Sequence, residues 1–208
     1  MTPDATVFLV DDDPGVLRAL TRLLRASGRE VRAFSSPDEF LEQHDPAAPG
    51  CLVLDVVLPQ RNGLDLQRDL AASGAERAVV FITGGGDIPT SVRAMKAGAV
   101  DFLIKPFEDG QLLAAVQAAL EKDERMRRAR AERRAAERKL ASLTSRERQV
   151  LEHVVSGQLN KHIASELGTV VKTIKVHRGR IMQKMGAGSL VELVRLADAA
   201  GIRPAGGA

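Results

Sequence analysis

The chain has 208 residues, enough for two domains of ordinary size, and it carries a formal net charge of +3. That total conceals an uneven distribution: residues 1–120 hold 11 basic against 17 acidic side chains, residues 121–139 hold 9 against 5, and residues 140–208 hold 10 against 5. Such asymmetry is expected when one domain binds cations and another approaches a polyanion.

A single cysteine, Cys51, excludes a disulfide framework and a paired-cysteine zinc or redox site within the chain. It lies in an apolar run, so we expect a small buried side chain. No segment approaches the roughly 18 consecutive apolar residues of a membrane span. The start, Met1 to Asp4, lacks the basic-then-apolar order of a secretory signal. We therefore expect a soluble cytoplasmic protein.

Short apolar, β-branched runs recur along the first 104 residues and predict five strands, at residues 7–10, 31–34, 52–54, 79–82 and 102–104. Between them, apolar residues recur at helical spacing, with glycine stop signals at Gly28 and Gly74. Strands that alternate with helices need crossover connections, which indicate a parallel sheet covered on both faces. The pattern predicts a fivefold β/α repeat over roughly residues 5–120.

The last helix of this repeat shows no stop signal at its end. Between Glu121 and Lys139, 14 of 19 residues are charged, and neither Gly nor Pro interrupts the run. Because Ala, Arg and Glu are strong helix formers, we predict a charged helical linker at residues 121–140 whose side chains face solvent. A basic patch that contacts DNA is the alternative interpretation of the same residues.

From Leu143 onward the pattern is purely helical. Thr144 and Glu147 have the spacing of a capping box, which predicts a helix start. Three more helices follow, and the first two of them are separated by a turn at Gly168. Two helices joined by a short glycine-containing turn are the DNA-reading unit of helix-turn-helix proteins. We predict a second, all-α domain of four helices over residues 141–208.

Polar residues follow four of the predicted strands: Asp11 and Asp12 the first, Asp55 the third, Thr83 the fourth and Lys105 the fifth. In open α/β sheets, ligands bind beyond the carboxyl ends of the strands. Carboxylate oxygens suit Mg²⁺, while an ammonium and a hydroxyl suit an anion. These are the groups that phosphoryl transfer onto a free carboxylate requires, and Asp55 is the candidate acceptor. Each residue alone is more often solvated surface; together, at four strand ends, they favour a functional pocket.

Residues 5–120 resemble the receiver domain of two-component response regulators. The resemblance rests on Asp11-Asp12, on Asp55 followed by Pro59 and Gly63, on Thr83-Gly84, and on the runs 94–99 and 101–107. It implies a flavodoxin-like, doubly wound parallel five-stranded sheet of order 2-1-3-4-5. It also implies that a sensor histidine kinase phosphorylates Asp55.

The resemblance further implies one Mg²⁺ in the acidic pocket. Asp12, Asp55 and the backbone carbonyl of Val57 would hold the ion, and Asp11 would act through water. As with any receiver, the acceptor is modified and does not turn over a substrate, although it can lose its phosphoryl group by hydrolysis. We therefore do not expect a turnover enzyme.

Three more residues take roles from the resemblance. Lys105 would contact the phosphoryl oxygens, and its bond to Pro106 would be cis, an isomer that proline makes accessible. Thr83 and Phe102 would form the switch pair.

Two positions bear on how long the phosphoryl group persists. Val57 and Gly85 stand two residues after Asp55 and Thr83, and neither side chain can orient an attacking water. We hypothesise slow hydrolysis of the acyl phosphate, which suits a regulator of transcription. We also expect the glycine run at residues 84–86 to make this loop unusually mobile.

Residues 143–200 resemble the LuxR-type four-helix output domain, closest to its FixJ-like branch. The matching residues are the run 143–151, Gly157, Asn160-Lys161, Ile163-Ala164, Leu167-Gly168, the run 173–178, Lys184-Met185 and Ser189-Leu190. The resemblance implies binding to double-stranded promoter DNA and a homodimer when the receiver is phosphorylated.

The helix predicted from about Val171 to Met185 has an apolar and a basic side, which lets it pack on its neighbours while entering a major groove. By resemblance, Lys175, Val176 and Gly179 face bases, and Lys161, Thr173 and Arg178 face the backbone. The candidate DNA-binding residues are Lys161, Lys172, Thr173, Lys175, Val176, Arg178, Gly179 and Arg180.

Interior packing is the alternative for Val176, and for His177 it is the favoured interpretation. The family usually places a serine or similar cap where this chain has Val170. Thr169 is the alternative cap. Without one, we expect fraying at the reading end of the helix and weaker DNA binding.

Two other functions remain open at this point. An enzyme that uses Asp55 as a nucleophile, such as a phosphatase, would want a second carboxylate two residues on, where Val57 stands instead. A DNA-binding scaffold that works without phosphate is the other possibility, and the acidic pocket with Lys105 argues against it.

Overall fold

The computed structural model describes residues 5–59, 61–85 and 88–202, with the Ile88 side chain left out. The chain divides into two compact units, Met1–Arg127 and Arg128–Ala208. Gly86, the last residue of the glycine run that we predict to be mobile, lies outside the described residues. Met1 to Asp4, where the sequence predicts no secretory signal, also lie outside them.

Strands and helices alternate in the first unit, as the apolar runs predict. They are β1 (Thr6–Val10), α1 (Pro14–Ala26), β2 (Glu30–Phe34), α2 (Pro37–Gln43), β3 (Gly50–Asp55), α3 (Gly63–Ala72), β4 (Ala78–Thr83), α4 (Ile88–Lys96), β5 (Asp101–Ile104) and α5 (Asp109–Ala141).

All strand pairs are parallel, and the order β2-β1-β3-β4-β5 confirms the predicted topology. The central strands β3 and β4 are buried along their whole length, which explains their unbroken apolar sequence. One apolar cluster joins the sheet to α1 and α5, and another joins it to α2, α3 and α4. Cys51 is fully buried in the first cluster, as expected.

The charged run forms helix, because α5 continues without interruption from Asp109 to Ala141. The expectation that its side chains face solvent is wrong for three residues of the predicted linker, because Asp123, Ala136 and Leu140 are buried. Asp123 is only 5% exposed, and its carboxylate accepts a hydrogen bond from the Gly50 amide at 2.9 Å.

The second unit contains the end of α5 and four helices, α6 (Ser145–Val155), α7 (Asn160–Glu166), α8 (Val171–Met185) and α9 (Leu190–Ala199). The predicted capping box is present: Thr144 accepts from the Glu147 amide, and Glu147 accepts from the Thr144 amide. Gly168 takes φ +61°, the left-handed conformation that makes the turn between α7 and α8 possible. Ile174, Ile181 and Met185 are buried as predicted.

Among the described residues, every helix is too short or too polar to cross a membrane.

Candidate functional site

Two carboxylates meet where β1 and β3 end. Asp11 is fully buried and Asp55 is 5% exposed, and the strand register sets Val10 beside Leu54, so the residues that follow leave the same edge of the sheet. Asp12 is exposed, yet carboxylate oxygens of all three aspartates lie within 4.8 Å of one another. The sequence prediction of an acidic pocket at the carboxyl edge is therefore realised in the geometry.

Lys105 supplies the positive charge that this cluster needs. Its Nζ donates to Asp11 Oδ2 and to Asp55 Oδ2, each at 2.7 Å. Burial alone would lower the pKa of Lys105, but the two carboxylates outweigh burial and raise it. Burial raises the pKa of Asp11, and the hydrogen bond from Lys105 partly opposes that rise. The peptide bond between Lys105 and Pro106 is cis.

The donor set fits a hard divalent cation. Three carboxylates at this spacing offer the oxygen ligands that Mg²⁺ prefers, and the exposed Asp12 leaves one side open to water and substrate oxygens. Asp55 keeps one carboxylate oxygen close to the Val57 amide, which donates to Oδ1 at 2.8 Å. Asp11, Asp12 and Asp55 are thus the residues that could hold the ion.

The third aspartate of the run has a different task. Asp13 caps α1, since its Oδ1 accepts from the amides of Gly15 at 2.6 Å and Val16 at 3.3 Å. This cap fixes the loop that carries Asp11, whose Oδ1 in turn accepts from the Asp13 amide at 2.9 Å. Asp13 directly before Pro14 is a helix-start signal in the sequence, and this cap could have been predicted from it.

Gly63 is required by close packing against the end of β3. A Cβ at this position would lie 2.3 Å from the backbone oxygen of Asp55, which is closer than atoms can approach. The glycine of the family pattern therefore has a physical reason: only a residue without a side chain fits behind Asp55.

The predicted switch residues lie at the ends of β4 and β5. Thr83 is fully buried, and its hydroxyl donates to the Gly85 carbonyl at 3.0 Å, within its own loop. Phe102 is half-buried, with its ring centroid 6.4 Å from that of Phe81. Val57 is 65% exposed, so its side chain stands free at the pocket rim.

In the second unit, α8 presents an exposed stripe opposite its buried side. Five of the eight predicted DNA-binding residues lie on it, and Val176 is 47% exposed, so interior packing does not describe this residue. These five are Lys172, Lys175, Val176, Gly179 and Arg180. Lys161 is exposed on α7.

The other two predicted contacts of α8 are half-buried at the margins of the stripe. One of them is Thr173. The other, Arg178, donates from Nη1 to Asn160 Oδ1 at 3.0 Å, a link to the first residue of α7 that the sequence did not predict. His177 is half-buried too, and its Nδ1 is buried with no hydrogen-bond partner among the described residues, which agrees with packing.

The reading end of α8 starts without a side-chain cap. Its N-cap residue is Val170, and no described side chain accepts a hydrogen bond from the first turn, so Thr169 does not replace the missing serine. Within this turn the Thr173 amide donates to the Val170 carbonyl at 3.0 Å, and no described acceptor takes the amides of Val171 and Lys172.

Comparisons with known proteins cover both units. A family model described as the response regulator receiver domain matches residues 7–117, and one described as bacterial regulatory proteins of the luxR family matches residues 141–197. Nodulation protein W of Bradyrhizobium diazoefficiens is 47% identical, over 95% of this chain and 87% of that protein. The transcriptional regulatory protein FixJ of Azorhizobium caulinodans is 44% identical, over 99% of this chain and 97% of that protein.

Solved structures are similar over nearly the whole chain. The response regulator StyR is 47% identical with a TM-score of 0.80, covering 94% of this chain and 98% of that chain. Full-length FixJ from B. japonicum is 39% identical with a TM-score of 0.58, covering 97% of this chain and 98% of that chain.

Proposed function

This chain belongs to the two-component response regulators that join a receiver domain to a LuxR-type DNA-binding domain, and we propose that phosphorylation of Asp55 controls its binding to DNA. The family matches confirm the resemblance predicted from the motifs, and they make the chain a transcription regulator in two-component signalling. The observation that carries the proposal is the contact of Lys105 with Asp55, which is one of the three clustered aspartates.

The chemistry follows from the positions of these groups. A carboxylate oxygen of Asp55 attacks the phosphorus of a phosphohistidine on the partner kinase, so a new O–P bond forms while the N–P bond breaks and the electron pair returns to the imidazole. The Lys105 ammonium, now on Asp55 Oδ2, is placed to pair with the transferred phosphoryl oxygens. Asp12, Asp55 and the carbonyl of Val57, with Asp11 acting through water, would hold Mg²⁺, which would supply additional positive charge beside the transferred group.

Control of the second domain follows from the new charge. A dianion at Asp55 offers an acceptor to the Thr83 hydroxyl, which now bonds within its own loop, and a turn of Thr83 toward the phosphoryl group would free space for Phe102. This pair then biases the population of receiver conformations. The receiver masks or frees the DNA-binding domain, or it drives formation of a homodimer.

Residue assignments complete the proposal. Residues 1–120 form the receiver domain that accepts the phosphoryl group, and residues 121–140 form a helical linker between the two domains. Residues 141–208 form the domain that binds double-stranded promoter DNA. The eight candidate residues on α7 and α8, with Lys175, Val176 and Gly179 nearest the bases, carry the binding. The protein acts in the cytoplasm and is not a turnover enzyme, and the exposed Val57 in place of a second carboxylate argues against a phosphatase.

The test incubates the chain with acetyl phosphate and Mg²⁺ and measures intact mass, apparent size and DNA affinity. The Asp55→Asn variant is the control, because it keeps the shape of the acceptor and removes the nucleophilic carboxylate. We expect a gain of one phosphoryl group in the wild type alone, with a change in DNA affinity. No gain, or an equal gain in the variant, would refute the assignment of Asp55.

A further inference from the structure

Three side chains from the two turns of α5 that follow Leu120 form hydrogen bonds with the backbone at the amino-terminal edge of the sheet, opposite the edge that carries Asp55, and a fourth lies beside it. Lys122 Nζ donates to the carbonyl of Gly98 at 2.8 Å, in the turn before β5. Met126 lines a cavity of about 20 Å³ beside the same turn. All four lie beyond residue 117, where the match to the receiver family ends.

Asp123 and Arg127, one turn apart, hold the loop that precedes β3. The carboxylate of the buried Asp123 accepts from the Gly50 amide at 2.9 Å, and Arg127 Nη1 donates to the Ala47 carbonyl at 2.5 Å. Arg127 Nε also lies 4.0 Å from Asp123 Oδ2. One turn of helix therefore supplies both an acceptor and a donor to the backbone between Ala47 and Gly50, where the loop enters β3.

Arg77, directly before β4, holds this loop from the sheet side. It is 6% exposed, and its two terminal nitrogens donate to the carbonyls of Ala48 at 3.1 Å and Asp45 at 2.5 Å. Burial lowers the pKa of Arg77, and the charge of Asp123 partly opposes that effect. A buried cation needs a nearby anion, so Asp123 has an electrostatic as well as a hydrogen-bonding role.

Ion pairs further along α5 are of another kind. Arg128 pairs with Glu132 at 3.1 Å and Arg133 with Glu137 at 2.8 Å, and all four side chains are largely exposed. Such pairs, one helical turn apart, support the helix itself. Arg127 is the last residue of α5 for which a contact with the sheet edge is described.

We propose that Asp123 is a positioning residue for signalling: with Lys122 and Arg127 it fixes residues 121–127 of α5 on the receiver, so that the joint to the DNA-binding domain begins after Arg127. A receiver rearranged by phosphorylation then carries these two turns with it. Loss of this grip weakens the effect of phosphorylation on DNA binding. That last consequence rests on the proposed function, whereas the grip does not.

Hydrogen exchange on the full chain tests the grip directly. We expect Asp123→Ala to accelerate amide exchange in residues 45–50 and 121–127 by about tenfold, because the loop and helix open without global unfolding. The matched control is Glu124→Ala, an exposed neighbour in the same helix that should match the wild type. Unchanged exchange in Asp123→Ala would overturn the proposal.

DNA affinity tests the consequence. Asp123→Ala should accept a phosphoryl group from acetyl phosphate as the wild type does, yet the ratio of its DNA affinities with and without phosphorylation should fall about fivefold or more. Asp123→Asn keeps an oxygen for the Gly50 amide but loses the charge, so its affinity ratio should lie between those of the wild type and Asp123→Ala. If Asp123→Ala does not fold, Asp123→Asn serves as the test variant. An unchanged ratio in both variants overturns the positioning role. If the wild type itself gains no phosphoryl group, the proposed function fails, and the exchange comparison still decides the grip.

Discussion

The ammonium nitrogen of Lys105 lies 2.7 Å from a carboxylate oxygen of Asp55, and the same nitrogen lies equally close to Asp11. One cation thus balances two buried anions. Removal of that cation would leave the two carboxylates facing each other at the sheet edge, where repulsion is weakly screened.

We therefore predict that Lys105→Met lowers the free energy of unfolding by about 1–3 kcal/mol in the absence of Mg²⁺. Added Mg²⁺ should stabilise the variant more than the wild type, because the ion takes over the balancing of charge. Urea unfolding with and without Mg²⁺ measures both effects. Lys96→Met, at an exposed lysine of α4, is the control, and equal stability of the two variants without Mg²⁺ would contradict the prediction.

The lifetime of the phosphoryl group depends on what stands at the pocket rim. Val57 is 65% exposed, so a polar side chain fits there without repacking. We expect Val57→Asn to speed hydrolysis of phospho-Asp55 about tenfold, since an amide can orient the attacking water. Decay of the phosphorylated mass over time measures the rate. Val57→Ala should hydrolyse as slowly as the wild type, and rapid decay of the wild type itself would remove the basis of the hypothesis.

Gly179 stands on the exposed stripe of α8, in the middle of a helix, where glycine is unfavourable. Apart from its neighbours and its own helix backbone, a Cβ there would meet no described atom within 4 Å, so Gly179→Ala should raise the free energy of unfolding by about 0.5–1 kcal/mol. If bases approach this backbone, the added methyl group also weakens DNA binding, by about tenfold on the scale of a mismatched contact.

A gain in stability together with a loss of DNA affinity in Gly179→Ala would identify a close approach of DNA to Gly179. Gly110→Ala is the matched control, because Gly110 is an exposed glycine of α5 with equally open space. Because Gly110 lies in the first turn of α5, this variant should gain less stability, and it should keep the DNA affinity of the wild type. Unchanged or higher affinity of Gly179→Ala would place the DNA elsewhere.

The uncapped start of α8 yields a simpler prediction. Val170 has an extended backbone (φ −102°, ψ 151°) and is 64% exposed, so a serine fits there and its hydroxyl can accept from an amide of the first turn. Val170→Ser should add about 1 kcal/mol to the free energy of unfolding and tighten DNA binding. Thermal unfolding and DNA titration measure both. Val170→Ala should show neither gain; an alanine variant that matches the serine variant would exclude capping as the cause.

Sequence patterns predicted the parallel sheet and the meeting of Asp11, Asp12, Asp55 and Lys105, because both rest on periodicity or on strand ends that are local in the sequence. The order of the strands came from the resemblance to receiver domains. Asp123 escaped prediction because its partners, Gly50 and Arg77, are remote in the chain, and a charged run is usually solvated. The link from Arg178 to Asn160 escaped for the same reason: helical periodicity gives the side of a helix on which a residue lies and does not give its partner on the next helix.

The capping-box residue Glu147 makes the second domain sensitive to acid. Its side chain is almost fully buried, and the hydrogen bond from Lys184 Nζ at 2.7 Å, with that from the Thr144 amide, lowers its pKa from 4.5 to about 2. Because the folded state binds this proton less readily than the unfolded state does, the stabilisation is fully present above pH 4.5. It is lost as the pH falls from there toward 2.

We expect Glu147→Gln, which keeps the hydrogen-bonding shape but removes the charge, to lower the free energy of unfolding by about 2–3 kcal/mol at neutral pH. The deficit should shrink as the pH is lowered from 5 to 3, because the wild type then loses the stabilisation by the charge of Glu147, which the variant lacks at every pH. Calorimetry of both chains over this range measures it, with the exposed Glu124→Gln as control. A deficit that stays constant with pH would mean that the charge of Glu147 contributes nothing and that the capping hydrogen bonds alone stabilise α6.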